Sequence, residues 1–366
     1  MITGADEYPF HQTPEPMAYA GTDRNFYDRY FFNGYSPDGE IFFAIAFGVY
    51  PNLDIMDGAV SILHGGKQHN VRASKRMQGE RSVLQVGPLS IHIEQPLRQS
   101  RIVLADNDSG MTIDVTMTAR HAPVEEPRFT RRIGTRSLMD YTRMTQNVEW
   151  SGFISVDGNR SELDGRKVRG TRDRSWGIRP VGLPDPQPPA AGGLSQFFWL
   201  WNPCNFDDYV AFSHTNDDEY GRPWNRLGAI QAIDGDIIKF DEVAYQYEWE
   251  GPSSRKIKEL RALCQSEQGD AVLTFRPTAT FFMPGLGYMH PEWGHGTDHG
   301  DLAVTHDTWD VHQCSLDPRF LHIQAISDVT LEFQGAIHQG TGVVEQMFVG
   351  AHAPTGMGEG LDVHRS

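Results

Sequence analysis

The sequence predicts an all-β protein made of two β-barrel domains, or strongly bent β-sandwiches, in tandem. Strand-like runs follow one another along the chain, turn signals separate them about every 8–15 residues, and helical periodicity is scarce. Antiparallel strands must bury one face and protect their edges, which closure into a barrel achieves. A barrel of roughly eight to ten strands is wide enough to hold one small ligand.

Asp-Gly and Ser-Gly pairs predict the hairpin turns, because glycine supplies the positive φ that a tight turn needs. The pairs are Asp38-Gly39, Asp57-Gly58, Ser109-Gly110, Asp157-Gly158, Asp164-Gly165 and Asp234-Gly235. Residues 111–119 then alternate apolar and polar side chains with a period of two. This alternation predicts a strand with one buried face.

The best helix candidate is Ser254 to Gln265, where apolar residues recur at helical spacing. The same segment also alternates in polarity and lies between strand-like runs. Both a helix and a strand therefore remain open for it.

The domain boundary is predicted at a proline-rich stretch in the middle of the 366-residue chain. Single cores rarely grow beyond about 250–300 residues, which favours two domains. Four prolines between residues 184 and 189 and two glycines at 192 and 193 form the clearest linker. We expect an N-terminal domain over residues 1–180, a linker over 181–194 and a C-terminal domain over 195–366.

Composition limits the partners of the protein. A net charge of −16 argues against nucleic acid and anionic membrane surfaces, because both require a basic face. The longest apolar run, Ile41 to Tyr50, is about half of a membrane span, and the N-terminus lacks a signal-peptide pattern. The expectation is a soluble cytoplasmic protein without an integral membrane segment, whose oligomeric state the sequence leaves open.

The cysteines Cys204, Cys264 and Cys314 are odd in number and far apart in sequence. This spacing gives neither a disulfide framework nor a zinc knuckle and suits a reducing compartment. We expect them to be small buried hydrophobic residues.

The segment GTRDRSWGIRP, residues 170–180, concentrates charge beside a large aromatic residue at the predicted boundary. On a strand, Arg172, Arg174 and Trp176 would point one way, and Asp173 and Ser175 the other. Trp176 beside Arg174 would form a cation–π wall. Two flanking arginines are expected to lower the pKa of Asp173 and keep it an anion. Two interpretations stay open: an ion-pair cluster that fastens the boundary, or the lining of a ligand pocket.

Aromatic residues open the second half, where Phe197, Trp199 and Trp201 would share one face of a strand. They suit either core packing or a wall for a flat or hydrocarbon ligand. Further along, Glu345 lies within an apolar strand-like run. It is expected to face outward or, if it is buried, to have a raised pKa and to be the best general acid in the chain.

A histidine-rich segment, GYMHPEWGHGTDHGD at residues 287–301, is the candidate source of proton transfer. Tyr288 and His290 would face one side of an extended chain, beside Trp293. His295 and His299 are four residues apart, which suits zinc on a helix, but the glycines and proline argue against a helix and hence against a metal. No P-loop, dinucleotide fingerprint or hydrolase elbow occurs, so no cofactor is expected.

Several motifs together resemble the AttH-like and carotenoid 1,2-hydratase superfamily of double lipocalin-like proteins. They are DRYFFNGYSPDG, GVYPN, GPLSIHIEQPL and VDGNRSELDGRKVRGTRDRSWGIRP in the first half, and GYMHPEWGHG and GTGVVEQMFVGAH in the second. The resemblance covers nearly the whole chain and implies two lipocalin-like β-barrel domains. Relatives in this superfamily include hydratases of isoprenoids and of plant phenolics, and fungal pericyclases, which share an apolar pocket without a cofactor.

The resemblance implies an enzyme without a cofactor that acts on a hydrophobic small molecule such as an isoprenoid, a steroid or a polyketide. The reaction would be hydration, dehydration, isomerisation or cyclisation, and the alternative is a non-catalytic lipid-binding carrier. Arg174 departs from the hydratase branch, which has a histidine at that position, and arginine cannot donate a proton at ordinary pH. The expected catalytic residues are His290, Asp173, Glu345 and Tyr288, and the expected substrate-binding residues are Arg174, Trp176, Trp199, Trp201 and Trp293.

Overall fold

The structure, a computed structural model, describes residues 1–3, 5, 8–19, 21–164, 167–187, 195–314 and 318–365. Strands account for 58 % and helices for 5 %, and the strands form two curled antiparallel sheets. The predicted all-β fold with two barrel-like sheets is thus confirmed.

The first sheet has fourteen strands, of which thirteen come from the first half of the chain. These are β1 (Phe26–Tyr35), β2 (Phe42–Tyr50), β3 (Ile55–His64), β4 (Lys67–Arg76), β5 (Gln85–Val86), β6 (Leu89–Gln95), β7 (Gln99–Leu104), β8 (Met111–Ala119), β9 (Val124–Glu125), β10 (Phe129–Ile133), β11 (Arg136–Val156), β12 (Asn159–Glu162) and β13 (Arg169–Ile178).

The remaining strands are β14 (Phe197–Asn205), β15 (Tyr209–Asp217), β16 (Pro223–Ala232), β17 (Ile237–Lys239), β18 (Glu242–Trp249), β19 (Ile257–Gln265), β20 (Ala271–Phe282), β21 (Leu302–Asp310), β22 (Ile323–Phe333) and β23 (Ala336–Val349). All of them except β21 form the second, nine-stranded sheet. The helical elements within the described ranges include α1 (Val311–Cys314) and the 3-10 turns Pro51–Leu53, Met283–Leu286, Pro318–Phe320 and Ala353–Thr355.

Strand order follows sequence order except at three crossovers that matter for the cavity. The first sheet runs β21-β4-β3-β2-β1-β13-β11-β8-β7-β6-β5, with β9, β10 and β12 also paired to β11. The second runs β17-β16-β15-β14-β23-β22-β20-β19-β18. Strand β13 therefore lies between β1 and β11, strand β23 pairs with β14, and β21 leaves the second half to pair with β4 of the first sheet.

Two of the segments analysed in the sequence form strands in the structure. Residues 111–119 form β8 with Met111, Ile113, Val115 and Met117 buried, as the alternation predicted. The ambiguous segment is resolved as a strand, because residues 257–265 are β19.

The Asp57-Gly58 pair lies within β3, so the prediction of a turn there is wrong. A Cβ at Gly58 would lie 2.7 Å from Leu89 and 3.0 Å from Val86. The glycine permits close packing rather than a reversal of the chain. Gly165, in another predicted turn, lies outside the described residues.

Among the described residues, the hydrophobic core has one large cluster inside each sheet, a third between them and a small fourth one around Phe282, Cys314 and Ile323. In the shared cluster, the rings of Phe42 and Phe281 are 4.7 Å apart, and those of Phe31 and Trp201 are 6.3 Å apart. The chain passes from the first sheet to the second between β13 and β14, where residues 188–194 of the predicted linker lie outside the described residues. The division into two domains stays a prediction.

All three cysteine side chains are buried in apolar clusters, as expected of small hydrophobic residues. Among the described residues, no helix has the length and the apolar character needed to span a membrane.

Candidate active site

A cavity of about 290 Å³ lies between the two sheets and is lined by aromatic and charged side chains. The lining residues are Arg29, Met139, Tyr141, Arg143, Asp173, Ser175, Arg179, Pro180, Phe197, Trp199, Tyr288, Met289, His295, His322, Glu345 and Met347. Alternating positions of β11, β13 and β14 face this space, as expected of strands. Four predicted site residues line it: Asp173, Trp199, Tyr288 and Glu345.

One wall of the cavity is a row of side chains across three neighbouring strands. In the strand register, Ser175 of β13 is opposite Arg29 of β1 and Arg143 of β11. Asp173 lies two residues before Ser175 and shares its face, whereas Arg172 bonds to Gln146 away from the cavity. The predicted alternation of residues 172–176 is confirmed.

Asp173 differs from the sequence-based expectation in its electrostatics. Arg172 and Arg174 point to the opposite face of β13 and do not pair with it within the described residues. Of the two interpretations left open, the ion-pair cluster around this carboxylate is therefore wrong, as is the expectation that these arginines lower its pKa. Among the described residues, no hydrogen-bond donor contacts its carboxyl group. Burial raises the pKa of Asp173 to about 7, against the effect of Arg143 and with a contribution from Glu126. A partly protonated carboxyl group therefore faces the cavity near neutral pH.

The Glu345 side chain is buried rather than facing outward, and both of its carboxylate oxygens accept hydrogen bonds. Its Oε1 accepts hydrogen bonds from Trp199 Nε1 and His322 Nε2, both at 2.8 Å, and its Oε2 accepts one from Gln324 at 2.7 Å. Burial alone would raise the pKa of Glu345, but His322, Gln324 and Trp199 outweigh it and hold the pKa below its ordinary value. The expectation that burial makes Glu345 a general acid is wrong, because three donors stabilise its anion.

His322 is the unexpected partner in this arrangement. It is 4 % exposed, and its Nδ1 has no hydrogen-bond partner among the residues that the structure describes. Because the Glu345 carboxylate can only accept, Nε2–H of His322 donates to it, and Nδ1 is the ring nitrogen left open towards the cavity side chains. A carboxylate that orients one ring nitrogen and leaves the other free is the arrangement of a general base.

Arg143 is held by a second buried carboxylate beneath the cavity. Its Nε lies 2.9 Å and its Nη2 2.6 Å from Glu126, which also accepts a hydrogen bond from Thr145. Burial favours a higher pKa for Glu126, but the charge and hydrogen bonds of Arg143 keep the pKa below its ordinary value. The guanidinium of Arg143 also lies 4.6 Å from the Trp199 ring.

Trp201 supports the cavity floor without lining it. It is buried, its ring packs at 6.0 Å on Phe212, and the Arg143 guanidinium lies 5.5 Å from its centre. Its predicted role in binding substrate remains a prediction, and its contacts are those of core packing.

Arg174 and Trp176 lie on the other face of β13, away from the cavity. Arg174 pairs with Asp28 and lies 4.0 Å from the Tyr30 ring and 5.8 Å from the Trp176 ring, so the predicted cation–π contact exists. Trp176 is 41 % exposed. The contact is a surface feature, and the wall it was expected to form does not enclose the cavity.

His290 is separated from Tyr288 by a turn. Met289 has a φ of 55°, and residues 287–289 reverse the chain, so the extended geometry expected for this pair is wrong. His290 lines a different groove and accepts hydrogen bonds at Nδ1 from the backbone N–H groups of Glu292 and Trp293.

The other residues of this segment are also dispersed. Trp293 stacks on His299 with 3.8 Å between ring centres, whereas His295 contacts Arg29 and donates a hydrogen bond from Nε2 to the Leu286 carbonyl. Within the ranges that the structure describes, no three His, Cys, Asp or Glu side chains converge as metal ligands.

Two tryptophan substitutions distinguish the surface contact from the cavity wall. Trp199→Phe removes the donor to Glu345 and is expected to lower the free energy of unfolding by about 1–3 kcal/mol. Trp176→Phe removes only an exposed contact and is expected to change it by less than about 0.5 kcal/mol. Urea unfolding of both variants measures the difference, and equal losses would contradict the assigned positions.

Sequence reasoning missed Arg29, Arg143, Arg179 and His322. Arg179 could have been found, since the alternation from Asp173 through Ser175 reaches it. His322 gave no such signal, because its relation to Glu345 depends on the pairing of β22 with β23, in which Gln324 is opposite Glu345.

Comparisons with known proteins agree with the fold. A family model described as "Family of unknown function (DUF8625)" matches residues 2–358, and no curated protein matches the chain significantly. A crystal structure of a Nitrosomonas europaea protein (NE1406) assigned as AttH is similar with a TM-score of 0.53 and 13 % identity, over 93 % of this chain and 98 % of that one.

Kievitone hydratase from Nectria haematococca is similar with a TM-score of 0.51 and 13 % identity, over 87 % of this chain and 88 % of that one. At such identities the likeness shows the fold alone. The resemblance to AttH-like, double lipocalin-like proteins is thereby confirmed as a resemblance of fold.

Proposed function

The chain belongs to the family of unknown function (DUF8625) whose model matches residues 2–358. We propose that the protein is a cofactor-independent enzyme that transfers protons to and from a hydrophobic small molecule. The observation that carries the proposal is the unpartnered Asp173 carboxyl group, with a pKa of about 7, in an aromatic cavity that also contains His322. The reaction class is hydration, dehydration, isomerisation or cyclisation. The fold shared with a hydratase is compatible with it but does not choose among these.

The proposed roles follow from protonation state. Asp173 in its acid form donates a proton, and His322 accepts one at Nδ1 while Glu345 holds its Nε2–H. In a dehydration, His322 takes the proton next to the leaving hydroxyl, a carbon–carbon double bond forms, and Asp173 protonates the departing hydroxyl as water. Hydration is the reverse, and an isomerisation uses the same two transfers without loss of water.

Tyr288 and Trp199 shape the space in which this occurs. The Tyr288 ring is edge-on to His322, with 4.8 Å between ring centres, and burial raises the pKa of its hydroxyl, which stays neutral. Trp199 presents its ring to the cavity while its Nε1 fixes Glu345. The two side chains exclude water from the groups that exchange protons.

A carrier needs an apolar cavity but no titratable group that lacks a partner. An unpaired carboxyl group and a histidine with an open nitrogen are costly in a buried site. These two groups favour the enzyme over the lipid-binding alternative.

Isotope exchange tests the proposed function. The protein is incubated in D₂O with small-molecule extracts of its source cells, and mass spectrometry follows compounds that gain deuterium or change by the mass of water. We expect such changes with the unmodified protein and none with Asp173→Asn. Ligand retention by native mass spectrometry without any exchange would instead support the carrier.

Two histidine variants test the choice of base. His322→Gln is expected to lower turnover by at least about 100-fold, the smaller contribution of a general base. His290→Gln, in the neighbouring groove, is expected to leave turnover unchanged. The reverse result would return proton transfer to His290, as the sequence suggested.

A further inference from the structure

Three arginine side chains line the cavity, and the charges that could neutralise them are few. Arg143 is paired with Glu126. Arg29 and Arg179 form no ion pair with a carboxylate within the described parts of the chain. A buried cation without an anionic partner is costly, so a site that keeps one is suited to an anionic ligand.

Arg179 follows β13 and is held against two aromatic rings. Its backbone N–H donates to the Asn25 carbonyl at 3.3 Å, and its guanidinium lies 4.7 Å from the Tyr27 ring and 5.9 Å from the Tyr288 ring. Among the described residues, no side-chain or backbone acceptor takes a hydrogen bond from this guanidinium. Its donors are therefore available to a molecule in the cavity.

Arg29 is 2 % exposed and also lies against Tyr288, with its guanidinium 4.5 Å from that ring. Its terminal nitrogens contact the His295 ring, and its Nε has no hydrogen-bond partner. Burial, together with Arg29 and Arg179, holds the pKa of His295 well below its usual range. A neutral histidine positions the guanidinium without cancelling its charge.

Within the described residues, the nearby carboxyl groups form no ion pair with Arg29 or Arg179. Glu345 is engaged by three donors. Burial raises the pKa of Asp173 to about 7, which weakens it as a counter-ion near neutral pH, and Asp57 accepts hydrogen bonds from the Tyr50 hydroxyl and the Gly296 N–H. The two guanidinium groups therefore keep their positive charge at the cavity without a direct carboxylate partner among the described residues.

We propose that the cavity binds its substrate through an anionic oxygen placed between Arg179 and Arg29, so the substrate is a hydrophobic organic acid. Carboxylates, enolates and phenolates share this chemistry, and the aromatic lining holds the rest of the molecule. The inference rests on the proposed function and names the substrate class for it. A bound anion also disfavours ionisation of Asp173, so substrate binding keeps the proposed acid protonated.

A pair of probes that differ only in charge tests the proposal. The probes are 2-naphthoate and 2-naphthamide, and titration calorimetry at pH 7 measures their dissociation constants. Charge-assisted hydrogen bonds to arginine predict that naphthoate binds at least about tenfold more tightly than the amide. Equal affinities, or no binding of either probe at millimolar concentration, would overturn the proposal.

Arginine variants show which side chain causes the preference for naphthoate over naphthamide. Arg179→Gln is expected to remove the preference for naphthoate and leave the affinity for the amide unchanged, whereas Arg179→Lys retains part of it. Arg174→Gln is the matched control, because Arg174 is near in sequence but faces away from the cavity. A preference that survives Arg179→Gln would overturn the assignment, and should that variant not fold, an unreduced preference in Arg179→Lys would do the same.

Asp173→Asn separates this inference from the proposed function. The variant is expected to keep the preference for naphthoate, since Arg29 and Arg179 remain. If the preference is absent but Asp173→Asn still abolishes proton exchange, the function stands and the substrate class is wrong.

Discussion

Asp173→Asn is expected to abolish turnover and at the same time to stabilise the protein. Removal of a general acid lowers rates by about 10²- to 10⁴-fold. The same change removes a carboxyl group that pays a desolvation cost whenever it ionises in the native cavity. Loss of activity with a gain in stability is the expected result for a group retained for chemistry rather than for folding.

The gain in the free energy of unfolding that is expected for Asp173→Asn increases with pH. The pKa of Asp173 is 3.8 ordinarily and about 7 in the folded protein. Below pH 4 both states are protonated and the substitution changes little. Between pH 4 and 7 the unfolded chain loses its proton first, so the native protein loses stability as the pH rises. Above pH 7 the asparagine variant is expected to be more stable by about 2–4 kcal/mol.

Urea unfolding at pH 4 and pH 8 measures the effect, and Asp140→Asn serves as a control with an exposed partner, Arg128. The unmodified enzyme should also lose turnover above pH 7 as Asp173 ionises. Destabilisation by Asp173→Asn at pH 8 would restore the sequence-based view, in which flanking arginines stabilise the anion.

Arg143→Met is expected to cause the largest loss of stability, about 3–5 kcal/mol, because it leaves Glu126 as a buried charge without its main partner. The Glu126 side chain is 0 % exposed. His214 lies 3.7 Å away, but burial lowers its pKa to about 4, so it is neutral near pH 7 and compensates poorly.

A double variant shows whether the loss comes from the stranded charge. Arg143→Met with Glu126→Gln removes both charges and is expected to recover most of the lost free energy of unfolding, as measured by urea denaturation. If the double variant is no more stable than Arg143→Met alone, packing of the arginine on Trp199 carries the stability instead.

Local patterns predicted strands well and the site only in part. Alternation placed Asp173 and Ser175 on one face and Arg174 on the other, because the geometry of a strand depends on neighbours in sequence. The predicted arginine partners of Asp173 and the predicted pKa of a buried Glu345 were wrong, because the groups that surround these two carboxyl groups come from strands that are distant in sequence. The turn at Met289 required a positive φ in a non-glycine residue, for which the sequence carried no signal.

The pairing of β21 with β4 has a consequence for the order in which the molecule can fold. His69 and Thr308, 239 residues apart in sequence, meet across this pair. At a synthesis rate of about 5–20 residues per second, the edge of β4 therefore stays unpaired for roughly 10–50 s before β21 has been made. An open edge is a template for association with other chains. The cavity residue Glu345 lies on β23, which follows β21 in the chain, so the cavity is also completed among the last steps. Nascent chains are expected to need protection at β4 until β21 has been made.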